Sequence, residues 1–149
     1  MKISLGADHR GFEVKNKVKE YLKEKGYDVT DFGTDSEESV DYPDFAFKVS
    51  ESVAKGESDR GILFCWTGIG MCIAANKVKG VRAASCLSKE AAQLTRAHND
   101  SNVLCISAKF TPEDQLFEII DTWLETEFEG GRHVKRVEKI KEYEGSSTD

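Results

Sequence analysis

The sequence predicts an α/β fold, a Rossmann-like doubly wound sandwich built on a five-stranded parallel sheet. Short apolar segments alternate with amphipathic helical segments along the whole chain. The segment 61–65 is continuously apolar, as in a parallel strand that is buried on both faces. Strands that alternate with helices favour a parallel sheet covered by helices on both sides.

Five segments are predicted strands because they are short, apolar and followed by polar or glycine-rich breaks: 3–7, 27–32, 61–65, 81–86 and 103–107. Apolar residues at helical spacing predict the helices between them, which cover 14–22, 43–56, 71–78, a segment after Ser88, and 112 to about 129. A basic helix is predicted over 132–142. The 149 residues contain no repeat or linker, so we expect a single domain over 1–149, with about 143–149 as a disordered tail.

Charge and cysteine content exclude several classes of function. The net charge of −6 disfavours nucleic-acid binding, which needs a basic surface. No apolar run approaches the roughly 20 residues of a membrane span, and charge comes too early at the N-terminus for a signal peptide. The four cysteines form no C-x-x-C pair, which favours free thiols in a reducing cytoplasm. No metal-ligand spacing is present.

One group of polar residues follows the predicted carboxyl ends of strands, where parallel sheets bind ligands. It comprises Asp8 and His9 after the first strand, and Cys65 to Gly70 after the third. A thiol at a strand–helix turn is favoured as thiolate, and the amides that follow it can bind an anion. The alternatives remain open: Cys65 as a buried cysteine before a tight turn, and Asp8 as a helix cap. Gly68-x-Gly70 also begins a dinucleotide-binding pattern, but Ile73 stands at its third glycine position.

A second group lies at the opposite, amino edge of the sheet and comprises His98, Asn99, Arg132, His133 and Arg136. These residues cannot easily reach Cys65 within their own chain. They are therefore either ordinary surface residues or part of a site completed in another subunit. The two arginines are four apart on one helix face, a spacing that can grip a phosphate from two directions.

Several motifs together resemble the type B ribose-5-phosphate isomerases, whose family also includes allose- and galactose-6-phosphate isomerases. These motifs cover residues 6 to 140: Gly6-Ala7-Asp8-His9 with Gly11, Ser39-Val40-Asp41-Tyr42-Pro43, Cys65-x-Thr67-Gly68-x-Gly70 with Ala74-Ala75-Asn76-Lys77, Arg96-x-His98-Asn99-Asp100, and Gly130-Gly131-Arg132-His133-x-x-Arg136 with Ile140. The resemblance implies a cytoplasmic homodimer with shared active sites, often paired into a tetramer. It implies a C-terminal helix that reaches the partner, a phosphorylated sugar as substrate, and no metal or organic cofactor.

The resemblance assigns catalytic roles to three side chains. Cys65 matches the base that takes the proton from C2 of the open-chain aldose and returns it at C1. Thr67 matches a hydroxyl that assists at the substrate oxygens, and His98 matches the residue that opens the furanose ring. The amides from Trp66 to Gly70, including Gly68, match an oxyanion site, where one donor is typically worth about 3 kcal/mol of barrier.

The remaining matched residues bind the substrate. Asp8 and Asn99 match sugar contacts, while His9, Arg132 and Arg136 match phosphate and sugar contacts.

Three positions depart from the family pattern. Trp66 stands where glycine is usual, so we expect strain if that position needs a positive φ, or a reshaped sugar pocket. Lys109 stands where the family often has a phosphate-contacting arginine, and it keeps the charge without the bidentate geometry. Cys72 stands where serine is common and is interpreted as packing.

The leading hypothesis is an aldose–ketose isomerase that interconverts D-ribose 5-phosphate and D-ribulose 5-phosphate through an enediolate. Three alternatives are carried beside it. The first is an isomerase of a six-carbon sugar phosphate. The second is a phosphosugar-binding protein that has lost catalysis because Trp66 blocks the anion site, and the third is a nucleotide-binding module.

Overall fold

A single sheet of five parallel strands organises the part of the chain that the computed structural model describes, residues 1–146. In the order β2-β1-β3-β5-β4, the strands are β1 (Lys2–Ala7), β2 (Asp28–Asp31), β3 (Arg60–Cys65), β4 (Ala83–Ser85) and β5 (Val103–Ser107). The helices are α1 (Phe12–Glu24), α2 (Tyr42–Ala54), α3 (Ile69–Ala75), α4 (Lys89–Asn99), α5 (Glu113–Glu125) and α6 (Val134–Ser146), the last preceded by a 3-10 turn over Gly131–His133. The predicted α/β class and parallel sheet are confirmed.

Helices cover both faces of the sheet, as the continuous apolar character of the central strands predicts. On β3, Ile62 and Phe64 pack against the core formed with α1, α4 and α5. Leu63 and Cys65 point to the other face and pack against α2 and α3. Because successive side chains of a strand alternate between faces, a strand buried on both sides must be apolar throughout.

The two edge strands are shorter than the sequence predicted. The predicted strands 27–32 and 81–86 are reduced to β2 and β4, each of which pairs with one neighbour only. An edge strand hydrogen-bonds on one side, so its ends lack the second ladder that extends a central strand. Cys86 is nevertheless buried in the core, and so is Cys105, as predicted.

Helix α3 begins and ends earlier than the predicted 71–78. It begins directly after Gly68, whose φ of 78° turns the chain sharply out of β3. It ends at Asn76, whose side-chain amide donates to Ala83 O at 3.0 Å and whose oxygen accepts from Ala83 N at 2.8 Å. These two bonds connect the end of α3 to the start of β4.

The C-terminal helix is longer than the predicted 132–142, because α6 continues to Ser146. Of the expected tail over 143–149, residues 143–146 are thus helical, while 147–149 lie outside the described residues. That α6 reaches a partner subunit remains a prediction. Among the described residues, no helix combines the length and apolar character needed to cross a membrane.

Candidate active site

Strands β1 and β3 bring two predicted site residues to the same edge of the sheet. The strands are paired in register, with Ala7 opposite Phe64, so Asp8 and Cys65 follow at neighbouring carboxyl ends. The amide of Asp8 donates to Phe64 O at 3.2 Å, which continues this pairing past the end of β1. The first predicted group is therefore assembled at the edge where parallel sheets bind ligands.

The thiol of Cys65 is buried and held by a backbone donor. Its side chain is 5% exposed, and its Sγ accepts a hydrogen bond from the amide of Gly68 at 3.2 Å. The next hydroxyl is held in the same way, because Thr67 Oγ1 accepts from the amide of Ile69 at 3.2 Å. Both side chains thus lie at the start of α3, each held by a backbone amide.

Gly68 allows this loop to lie directly against β5. Its φ of 78° is in the left-handed region, and a Cβ at this position would lie 3.1 Å from the amide nitrogen of Ser107. Any side chain would therefore be both strained and crowded. This glycine fixes the position of the amide that binds Cys65.

Asp8 and His9 organise the loops beside the thiol. Asp8 Oδ1 accepts from the amides of Arg10 and Gly11, each at 3.0 Å, and so stabilises the turn before α1. The N-cap of α1 is Gly11 and no side chain caps this helix, so the helix-cap interpretation of Asp8 is wrong. His9 Nδ1 accepts from the amide of Val40 at 3.2 Å. The acidic loop 35–41 is therefore attached to the site.

A residue that sequence reasoning did not select, Tyr42, also borders the site. A Cβ on Gly70 would lie 2.8 Å from the Tyr42 ring, so the ring covers the first turn of α3. Sequence analysis named Tyr42 only as part of the Ser39–Pro43 motif and assigned it no role. The tyrosine at the start of α2 was the available signal, because α2 and α3 both cover one face of the sheet.

Trp66 is exposed at the rim of this edge, between two cations. The Arg10 guanidinium lies 4.8 Å and the Lys109 ammonium 5.6 Å from the ring centroid. Within residues 1–146, Asp100 is the one non-glycine residue with a positive φ, so the strain considered for Trp66 does not arise. The loops after β1, β3 and β5 meet here, and the amide of Lys109 donates to Trp66 O at 2.9 Å.

The second predicted group is assembled at the amino edge. His98 lies in the last turn of α4, and its ring stacks on that of His133 with centroids 4.3 Å apart. Asn99 ends α4, while Arg132 and Arg136 lie exposed on the 3-10 turn and α6. Burial, together with the nearby charges of His98 and Arg132, lowers the pKa of His133. This imidazole therefore stays neutral at pH values where a free histidine is already protonated.

The length of the sheet separates the two groups within one chain. Asn99 precedes β5, whereas Cys65 pairs with Ser107 at the far end of that strand. The five residues of β5 span about 16 Å at about 3.3 Å per residue. The described chain therefore does not bring His98 to Cys65.

The three other cysteines differ in the pKa of their thiols. Cys72 is half-buried, and a hydrogen bond with the Cys105 thiol, together with donors that include Asn76, lowers its pKa to about 7 despite partial desolvation. Burial raises the pKa of Cys86 to about 11 and that of Cys105 well above its ordinary value. Sequence analysis interpreted Cys72 only as packing, because its neighbours come from other strands.

The fold is that of an α/β protein with a parallel sheet. A thiol, a hydroxyl and amide donors lie just beyond the end of its central strand, where such proteins bind small molecules. The sequence model of the Ribose/Galactose Isomerase family matches residues 3–140. The chain therefore belongs to this family.

Individual relatives are similar over nearly their whole length. Ribose-5-phosphate isomerase B of Escherichia coli is 48% identical over 139 residues, which are 93% of each chain. The structure of Clostridium thermocellum ribose-5-phosphate isomerase B superposes with a TM-score of 0.98 at 51% identity, covering 99% of this chain and 100% of the other. The Mycoplasma genitalium enzyme with bound ribulose-5-phosphate superposes with a TM-score of 0.93 at 45% identity, covering 97% and 96%.

Proposed function

We propose that this protein interconverts D-ribose 5-phosphate and D-ribulose 5-phosphate in the cytoplasm. The observation that carries the proposal is the buried Cys65 thiol, whose sulfur accepts a hydrogen bond from the Gly68 amide. It lies beside Thr67 at the edge where the carboxyl ends of the strands meet. The 48% identity to a ribose-5-phosphate isomerase B and the ribulose-5-phosphate bound to another relative support a five-carbon sugar phosphate over the six-carbon alternative.

The reaction moves one carbon-bound proton and rearranges two carbon–oxygen bonds. The Cys65 thiolate takes the proton from C2 of the open-chain aldose, and the electron pair of that bond forms the C1–C2 double bond of an enediolate. A proton moves from O2 to O1 with the help of Thr67, and the thiol then returns its proton at C1. No net oxidation occurs, because C1 is reduced as C2 is oxidised.

Backbone amides stabilise the charge that develops on the enediolate. The amides of Gly68 and Ile69 bind the Cys65 and Thr67 side chains in this structure. The first intrahelical bond of α3 runs from the Cys72 amide to Gly68 O, so the Gly70 amide precedes the helical ladder. We assign the Gly70 amide as the donor to the substrate oxyanion, with the Gly68 amide joining it once the thiolate is protonated.

Binding residues surround these groups at both ends of the substrate. Asp8 would hold sugar hydroxyls through Oδ2, since Oδ1 already accepts two amides. His9 and Lys109 would contact the phosphate from this chain. Asn99, Arg132 and Arg136 would contact sugar and phosphate from a partner subunit, together with the ring-opening His98.

We therefore propose a homodimer in which each active site takes residues from both chains. The support is the separation of the two groups along β5, because catalysis by Cys65 and His98 together requires a second copy. A closed two-fold interface would place the carboxyl edge of each chain against the amino edge of the other. In this arrangement α6 would reach the partner.

The first test is turnover of ribose 5-phosphate by purified wild-type protein and by a Cys65→Ala variant. We expect turnover in the wild type and a loss of at least about 10³-fold in the variant, because the base is gone. Thermal unfolding of both proteins controls for folding. Full turnover by the variant would exclude Cys65 as base.

The second test asks whether sites are shared. Cys65→Ala and His98→Asn chains, each inactive alone, are co-expressed with different tags. In a randomly mixed population of dimers, about half are hybrids with one intact site each, so we expect about one quarter of wild-type activity. Activity that stays at the level of the single variants would place both residues in one chain's site and refute sharing.

A further inference from the structure

Three side chains at the amino edge form a cluster that the proposed reaction does not use as a unit. His98, Glu129 and His133 each offer one ligand atom, and the three atoms lie within 4.8 Å of one another. The three residues belong to different parts of the fold: His98 lies in the last turn of α4, Glu129 precedes the 3-10 turn, and His133 lies in that turn. Their spacing in the sequence therefore gave no metal-binding pattern.

Hydrogen bonds hold the backbone segments that carry these three residues next to one another. The amide of Glu129 donates to Ala97 O at 3.0 Å, which places Glu129 beside the last turn of α4. The Arg96 side chain donates to Thr126 O at 3.0 Å and attaches the same segment three residues earlier. The amide of His133 donates to Gly130 O at 3.1 Å and closes the turn.

One ring nitrogen in the cluster, His133 Nε2, lacks a hydrogen-bond partner among the described residues. His133 is 6% exposed, and its Nε2 is buried with no partner in the described part of the chain. A buried polar atom without a partner is costly, so it indicates an interaction still to be made. A ring nitrogen with an available lone pair is the usual ligand of a borderline metal ion.

We propose that His98, Glu129 and His133 bind a zinc ion, and that the bound ion inhibits the enzyme. Two imidazoles and a carboxylate are a known zinc donor set, which leaves a fourth position for water. Zn–N bonds of about 2.0–2.1 Å require ligand nitrogens roughly 3.4 Å apart, so atoms that now lie up to 4.8 Å apart must approach by up to about 1.4 Å around the ion. His98 is partly exposed and can rotate out of the ring stack to do this.

Inhibition follows from the use of His98, and this part rests on the proposed function. A ring nitrogen bonded to zinc cannot accept or donate the proton that opens the furanose ring. The exposed Arg132 and Arg136 flank the site and repel a cation, while Glu129 offsets one of their charges. We therefore expect an affinity that depends strongly on Glu129.

Binding is tested first, without reference to activity. Zinc titration calorimetry compares wild type with Glu129→Gln and with Glu127→Gln, an exposed glutamate in the same segment that makes the same charge change. We expect one ion per chain and wild-type affinity in Glu127→Gln. Glu129→Gln removes a ligand and should weaken binding by at least the roughly tenfold that even an outer-shell partner is worth. Equal affinities for the two variants would overturn the site.

Cobalt substitution identifies the ligands. Co²⁺ held by imidazole and carboxylate gives visible d–d bands without a thiolate charge-transfer band, and we expect this spectrum to weaken in Glu129→Gln. A thiolate band would place the ion on a cysteine and refute the assignment.

Activity is tested second. Zinc should inhibit ribose 5-phosphate turnover reversibly, with chelator rescue, and Glu129→Gln should need at least about tenfold more zinc than Glu127→Gln. Equal sensitivity of these two variants would refute inhibition through the cluster. If wild type has no turnover on any sugar phosphate, the proposed function fails, while calorimetry and cobalt spectra still decide the site.

Discussion

The glycine that positions the catalytic loop offers a quantitative test of the site. Gly68 has a φ of 78° and would place a Cβ 3.1 Å from both Ser107 N and Ser85 Oγ. Gly56 has nearly the same φ, 77°, but a Cβ there would meet nothing within 4 Å. Gly56→Ala and Gly68→Ala should therefore cause the same backbone strain. Only Gly68→Ala also crowds neighbouring atoms and lies next to the Cys65 thiol.

The expected magnitudes follow from these two terms. An alanine in the left-handed region destabilises the folded state by about 1–2 kcal/mol. Alanine also makes the unfolded chain less flexible than glycine does, which offsets about 0.4–1 kcal/mol of this loss. Gly56→Ala should therefore lower the free energy of unfolding by about 1 kcal/mol. Crowding against the backbone of β5 adds about 1–3 kcal/mol, so we expect Gly68→Ala to cost about 2–4 kcal/mol.

Urea unfolding measures both variants, with unchanged m-values showing that the folded and unfolded states remain comparable. Turnover of ribose 5-phosphate is measured on the folded proteins. We expect Gly56→Ala to keep wild-type kcat and Gly68→Ala to lose at least about tenfold, because its amide no longer holds the Cys65 sulfur. Stability losses that agree within about 0.5 kcal/mol, or unchanged kcat in Gly68→Ala, would refute this close approach.

Three further predictions concern charge, thiol reactivity and the rim. Burial alone would raise the pKa of Asp31, but hydrogen bonds from Lys15, Gly33 and Lys19 lower it. Lys15→Met should therefore lower the free energy of unfolding by about 3 kcal/mol at pH 7, measured in urea. This difference should shrink as the pH falls from about 4 through the lowered pKa of Asp31, where the carboxylate of the folded protein becomes protonated. The exposed Lys17–Glu113 pair is the control, and Lys17→Met should cost under about 1 kcal/mol. In a Cys65→Ala background, iodoacetamide should modify Cys72 first, with its rate rising through pH about 7, and mass spectrometry that finds Cys86 first would contradict this order. Trp66→Gly should change stability by under about 1 kcal/mol but alter KM for the sugar phosphate, since the indole is exposed between Arg10 and Lys109; an unchanged KM would exclude a role in binding.

The central part of the fold was predictable because its signals are local. Strands β1, β3 and β5 are short apolar runs, and each is buried on both faces where the sequence predicted a strand. The ends of β2, β4 and α3 were not predictable, because the number of paired neighbours and the bonds from Asn76 to Ala83 set them. Those neighbours are chosen by the sheet order, which no local pattern contains.

The candidate site divides in the same way. Cys65, Thr67 and Gly68 are so close in sequence that one turn places them together, so the motif predicted their placement. Their hydrogen bonds to the amides of Gly68 and Ile69 are findings of the structure. The pairing of Trp66 with Arg10 and Lys109 joins three loops that are far apart in sequence. The φ angle of Trp66 is not positive, so the expected strain is absent, and this too is visible only in three dimensions.

The sequence by itself determined the alternation of strand and helix, the thiol at a strand–helix turn and the assignment of two residue groups to opposite edges of the sheet. These follow from hydrophobic periodicity and chain direction, which short segments encode completely. Only the tertiary structure decided that His98, Glu129 and His133 converge and that Cys72 Sγ donates to Ala83 O. Such contacts depend on how helices pack across the sheet, and packing is a property of the whole fold rather than of any segment.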